Sequence, residues 1–165
     1  MATAAQFLRK LKAINLSQDS GPIIDKNKEE IRNIQYDQLE QGVGADGLPL
    51  MSILNDPYFK GNKLKAWRYA EFKDAVSKQY GFITPFAQPN LFINGYTHST
   101  LQIRRSGFEV RYSFSVPWAT ELEQKYKGKE LGLNDDSRAY FWNKILKHEL
   151  LTRYARELGG KIVIK

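Results

Sequence analysis

"STLQIRRSGFEVRYSFSV", Ser99 to Val116, is the stretch that decides the fold class. Leu101 and Ile103 precede the Ser106-Gly107 turn signal. Phe108, Val110, Tyr112, Phe114 and Val116 then follow at period two, opposite Glu109, Arg111, Ser113 and Ser115. Successive strand side chains point to opposite faces, so this spacing predicts a β-hairpin over about residues 100–116 with one buried and one polar face. Arg104, Arg105 and Arg111 interleave with the rings, a composition that suits single-stranded nucleic acid where the rings are exposed. The same period puts the rings on the core face and the arginines largely elsewhere. A packed hairpin is therefore the stronger reading, and the three arginines are assigned to a partner-facing surface.

Downstream, Pro117 ends the second strand and "WATELEQKY" predicts a short helix, with Glu121 four residues ahead of Lys125 as a supporting pair. "NDDS" then precedes "RAYFWNKILKHELLTRYARELGG". Small polar and acidic residues accept the unpaired backbone donors of a helix start, and their charge suits its dipole. A long C-terminal helix over about 135–158 follows, with Phe141, Ile145, Leu150 and Tyr154 near one face. Asp135 and Asp136 are read as its caps rather than as metal ligands.

Upstream, "IDKNKEEIRNIQYDQLEQG" predicts a helix capped by Asp25 or Asn27 and stopped by Gly42. "NKLKAWRYAEFKDAVSKQYG" predicts another, carrying Leu64, Trp67, Phe72, Val76 and Tyr80. Its prolines make "FITPFAQPNLF" irregular. The 42–63 region shows neither helix nor strand period, and a loop of that length in a compact domain is usually functional or disordered. Leu50, Ile53, Tyr58 and Phe59 are its candidate contact residues. At the N-terminus Phe7, Leu8, Leu11 and Ile14 recur at helical spacing with Arg9, Lys10 and Lys12 between them, predicting a basic amphipathic helix from about Thr3 to Leu16. "SQDSGP" reads as a flexible joint behind it. Such a helix either packs on the domain or protrudes; residues 1–20 are assigned as an arm that contacts a neighbour through Phe7, Leu8 and Leu11, and residues 21–165 form an α+β domain of several helices on a small antiparallel sheet.

Length and composition fit one such domain. The chain has 165 residues, 42% of them hydrophobic and 13% aromatic, enough to build a core. A net charge of +7 favours phosphates, an acidic protein face or an anionic membrane as partner. Without cysteine there is no disulfide or thiolate chemistry. No run approaches the roughly 18 apolar residues of a membrane helix. His98 and His148 read as surface or interface residues. No zinc-protease, phosphate-loop, dinucleotide or nucleophile-elbow motif occurs, so the expectation is a protein that is not an enzyme and uses no metal or cofactor.

Four segments taken in order carry a resemblance: "IRNIQYDQLEQGVGADGLPL", "YAEFKDAVSKQYG", "TPFAQPNLFINGYTHSTLQI" and "LEQKYKGKELGLNDDSRAYFWNKIL". Pro89-Asn90-Leu91 with Gly95 before the hairpin, and Lys125-Tyr126 followed by Gly132-Leu133-Asn134 before the last helix, are its most telling parts. From Ile31 to Leu151 the chain resembles the neck and tail-completion proteins of tailed bacteriophages, particularly those of short-tailed crAss-like phages. Leu131 stands where such proteins often have Phe. The resemblance implies an α+β fold and a structural virion protein, assembled in the cytoplasm of the bacterial host into a ring between portal and tail. Its implied partners are copies of itself, the portal or an adjacent neck ring, and a tail component, with weak contact to packaged DNA and none to membrane. The alternative reading is a basic nucleic-acid-binding module without catalysis.

Overall fold

The computed structural model describes residues 4–159 apart from Ile93 and Phe108, and leaves aside the side chains of Ala4, Ala5 and Phe7. The expected burial of Phe108 and the contact role of Phe7 lie outside the described residues.

The hairpin forms where period two predicts it. Strand β1 (Leu101–Ser106) pairs antiparallel with β2 (Glu109–Phe114), with Leu101 opposite Phe114, Ile103 opposite Tyr112 and Arg105 opposite Val110. Leu101, Ile103 and Phe114 are buried, whereas Val110 and Tyr112, expected to be buried, are half-buried. The strand-parity rule also places Arg105 on this inner face, which corrects its assignment to a partner surface. Its guanidinium meets the Asp25 carboxylate at 2.7 Å and donates to the Gly107 carbonyl at 2.7 Å. Hydrogen bonds from Arg105 and Lys28 hold the Asp25 carboxyl down at about 2. Arg104 and Arg111 face each other on the outer side, each held within its own strand, by Gln102 and Glu109 respectively.

Helices surround the hairpin: α1 (Ala4–Lys12), α2 (Leu16–Lys26), α3 (Lys28–Glu40), α4 (Lys63–Tyr80), the single turn α5 (Tyr96–Ser99) and α6 (Ala119–Tyr126). The long C-terminal helix consists of α7 (Asp135–Phe141) and α8 (Lys147–Leu158), joined without a break by a π-helical turn at Trp142–Leu146. Ile145 packs on the core beneath the hairpin and Leu150 on the next one, and Leu146 of the π turn touches both. Phe141 packs beneath the hairpin with Ile31, Ile34 and Ile103, while Leu150 and Tyr154 pack on Ile23 of α2. A further core beneath Leu101 and Phe114 gathers Leu39, Leu50, Val116 and Tyr126. "NDDS" is a helix start, but Asn134 is the cap: its side chain accepts from the Ser137 amide at 2.8 Å, and Asp135 and Asp136 are the exposed first-turn acids.

The predicted joint is helix instead. "SQDSGP" lies inside α2, begun by Asn15, whose side chain accepts from the Gln18 amide. Gly21 packs closely: a Cβ there would lie 2.9 Å from the Arg105 guanidinium, so a larger residue would have to displace that side chain. The boundary at residues 20–21 therefore falls mid-helix. Helix α1 lies against the domain, the packed alternative of its sequence reading: Lys10 donates to the Glu157 carbonyl at the end of α8. The 42–63 region is likewise packed. Val43 bridges Pro49, short 3-10 turns form at Ile53–Asn55 and Pro57–Phe59, and the Gln88 amide donates to the Gly42 and Leu50 carbonyls. Leu50 and Ile53, 5% and 3% exposed, are core residues of this chain and leave the list of partner contacts. Lys125 pairs with Asp56 of this region instead of Glu121.

Candidate partner-docking surface

Helix α4 is built inside out. Its buried stripe is Ala66, Ala70, Lys73 and Ser77, spaced four, three and four residues apart as one helical face requires. The large apolar residues lie elsewhere: Leu64 is 61% exposed and Trp67 47%, with Phe72 and Tyr80 similar. Small inner residues let α4 approach closely, so that Ala70 packs on Ile53 and Ala87. The polar members of the stripe are satisfied. Lys73 donates to the Phe92 carbonyl, Ser77 donates to the Lys73 carbonyl at 2.9 Å, and Ser77 accepts from Asn90 at 2.9 Å. Burial pulls the Lys73 ammonium down to about 8. It also lowers His98, which sits inside the chain where the sequence reading had a surface or interface residue. The ring stacks on Tyr36 and its Nε2 bonds the Asn90 carbonyl at 3.1 Å.

Beside α4, between the 3-10 turns and α6, a groove of about 860 Å³ is lined by rings. Phe59 lies between Tyr58 and Tyr69, with ring centroids at 5.3 and 5.7 Å. Across the groove Tyr96 and Trp118 meet at 5.8 Å, and the Lys125–Asp56 ion pair closes one side. Tyr58 is 83% exposed and Phe59 half-buried. The loop after α4 continues the apolar surface, with Phe86 packed on Trp67 at 4.9 Å and Ile83 89% exposed. A monomeric protein rarely leaves so many neighbouring large apolar side chains in water, and aromatic residues with arginine dominate interface energetics.

Of the residues predicted to contact partners, the fold places Tyr58 and Phe59 in this groove. It leaves Leu8 and Leu11 exposed on α1 and Arg104 and Arg111 on the outer side of the hairpin, so these do not form one site with the groove. Sequence reading did not single out Tyr69, Tyr96 or Trp118. The signal was present in α4, where small residues at helical spacing predict a close-packed inner face and force the large ones outward. Among the described residues no three His, Asp or Glu side chains gather as a metal site would need, and no helix is long and apolar enough to cross a membrane. The chain matches no protein-family model, no curated protein and no solved structure.

Proposed function

We propose that this chain is a structural, non-catalytic subunit of a bacteriophage neck, forming with its own copies a ring that joins portal to tail in the virion. The observation that carries a docking role is the aromatic groove beside the inverted α4: its rings touch one another and stay open to water on their outer side. Aromatic side chains lose little conformational freedom on binding, which is what a repeated subunit contact exploits. The partners named here rest on the ordered likeness between Ile31 and Leu151.

The test is to mix the purified chain with the portal protein and read mass by light scattering. A complex of defined stoichiometry is expected, weakened at least tenfold by Tyr58→Ala combined with Trp118→Ala. Absence of any complex at micromolar concentration sinks the reading. A second reading has its own observation: Lys65 and Arg68 are exposed on α4 beside Trp67 and Phe72, the pairing of charge and rings that binds single strands. DNA affinity that falls steeply with salt, and is lost in Trp67→Ala, would favour it over the ring.

A further inference from the structure

We propose that the aromatic groove takes a proline-rich segment of a partner protein, extended as a polyproline helix, with a basic residue of that segment against Glu121. This rests on the docking reading above and names the chemistry of what docks.

The groove is rich in hydrogen-bond donors. Tyr58, Tyr69, Tyr96, Trp118 and Tyr126 all line it, and among the described residues neither the four phenol hydroxyls nor the Trp118 indole N–H has a hydrogen-bond partner. Tyr126 is the sharpest case. It is 5% exposed, and burial together with the nearby Asp56 carboxylate raises its pKa, so the hydroxyl keeps its proton. A buried donor without an acceptor costs stability until a ligand supplies one. Acceptors are scarce by comparison. Asn94 Oδ1 accepts from the Tyr96 amide at 3.1 Å, and the Asp56 carboxylate accepts from the Tyr58 amide at 2.9 Å and pairs with Lys125. None of the lining residues belongs to β1 or β2, so the groove offers no edge of that sheet.

This imbalance selects the backbone of the ligand. An ordinary extended segment brings one N–H per residue and would find few acceptors. A helix would spend its carbonyls on itself and leave the donors unpaired. Proline has no N–H, and a proline run keeps its carbonyls free because its left-handed helix makes no internal hydrogen bonds. Proline-rich segments dock in aromatic-lined grooves, and their preformed shape lowers the ordering cost of binding.

Charge narrows the choice further. Lys125 is engaged by Asp56, and the buried Lys73 donates to the Phe92 carbonyl. Glu121, in the first turn of α6 and three residues from Trp118, is exposed and has neither an ion pair nor a hydrogen bond among the described residues. The charge that the groove leaves open is therefore negative. Arginine suits it, since a guanidinium pairs with carboxylates and packs on aromatic faces. A phosphate backbone would be repelled, which separates this groove from the single-strand reading of Lys65 and Arg68.

The probe is a synthetic peptide of about ten prolines with an arginine at each end, about three turns of polyproline helix. Titrated into the full-length chain and followed by calorimetry, it should bind at least tenfold more tightly than a peptide of equal length in which glycine and serine replace the prolines. Tyr58→Ala, at a position 83% exposed, should lower that affinity at least fivefold with the melting temperature unchanged. Glu121→Gln should weaken the arginine-ended peptide at least threefold and leave an arginine-free one as it was. Equal affinity for the proline and glycine-serine peptides overturns the proposal, as does the absence of binding or full affinity in Tyr58→Ala. Oligothymidine binding that Tyr58→Ala abolishes would put a nucleic acid in the groove instead. A loss in Glu121→Gln that is the same with and without arginine removes the basic contact. The two readings fail separately. A chain that joins the portal but does not bind the peptide ends the proline proposal and leaves the ring reading intact. A chain that binds the peptide but forms no portal complex ends the ring reading and leaves the groove's preference for proline.

Discussion

Helix α4 and the C-terminal helix place similar residues differently. In the C-terminal helix Phe141, Leu150 and Tyr154 are turned inward and charged residues face water, the arrangement in which burial of apolar area stabilises the fold. In α4 the inward stripe is two alanines, a lysine and a serine, and the large apolar side chains are left outside. Sequence periodicity reports that a helix has an apolar surface and is silent on what covers it. The difference is one of degree: the C-terminal helix buries Phe141, Leu150 and Tyr154 within its own chain while leaving Tyr140 and Trp142 open, whereas α4 buries small and polar residues and leaves Leu64, Trp67, Phe72 and Tyr80 in water.

The hardest blow to that contrast is a charge placed on the buried side. Phe114→Asp, in the core that the hairpin shares with Leu39 and Tyr126, buries an unpaired carboxylate at a cost of several kcal/mol, against a total stability of about 5–15 kcal/mol for a typical domain. Leu150→Asp does the same between α2 and α8. Neither variant should show a cooperative melt by circular dichroism, and a normal transition in Phe114→Asp would refute the register of the hairpin.

The next effect comes from the lysine that α4 keeps inside. Burial depresses Lys73 to about 8 in the folded chain, from 10.5 when exposed. Between these values the unfolded chain holds the extra proton, so stability rises with pH from about 8 to about 10.5, and the cost of the buried ammonium is present in full below 8. A rise of roughly 1–3 kcal/mol is expected in denaturant melts across this window, and Lys73→Met should lack it. Parallel profiles for the two proteins would show that the ammonium reaches water.

Smaller still is the cap of α7. Asn134→Ala removes the acceptor for the Ser137 amide and should cost about 0.5–2 kcal/mol, while Asp136→Ala, exposed and not the cap, should cost less. Equal losses at the two positions would move the helix start.

What the sequence made legible was local. Period two placed the hairpin, the polar cluster at 134–137 placed a helix start, and Gly42 and Gly81 marked helix ends. What it hid depended on distant partners. Gly21-Pro22 resembled a hinge because both residues read as breakers, whereas both lie inside α2, with Gly21 against the guanidinium of Arg105, 84 positions along the chain. The 42–63 region resembled a free loop because its backbone is held by the amide of Gln88 rather than by a local period. Gln35 and Gln38 of α3 act in the same way. The Gly132 amide bonds Gln35 Oε1 at 2.7 Å and the Asn134 amide bonds Gln38 Oε1 at 2.9 Å, fixing the approach to the last helix from positions that simply read as polar. The aromatic groove was half legible: Tyr58 and Phe59 were singled out in the sequence, but Tyr96 and Trp118 come from segments that only the fold brings beside them.

The smallest expected effect separates the two helices most sharply. Leu64 lies in the first turn of α4 and is 61% exposed, so replacing it removes little buried area. Glutamate is as good a helix former as leucine, and its charge is favourable near a helix N-terminus by about 0.3–1 kcal/mol. No acidic residue occupies that turn in the wild type, whereas Lys63 and Lys65 do stand there as possible counter-ions. Leu64→Glu should therefore change the unfolding free energy by no more than about 0.5 kcal/mol, in either direction, as surface substitutions do. Binding to the portal should nevertheless weaken, because a charge would be desolvated wherever α4 is covered by a partner. If the variant is destabilised as strongly as Leu150→Asp, the outer side of α4 is already packed within its own chain. If it is stable and binds as tightly as the wild type, α4 takes no part in the proposed contact, which would then be confined to the groove beside it.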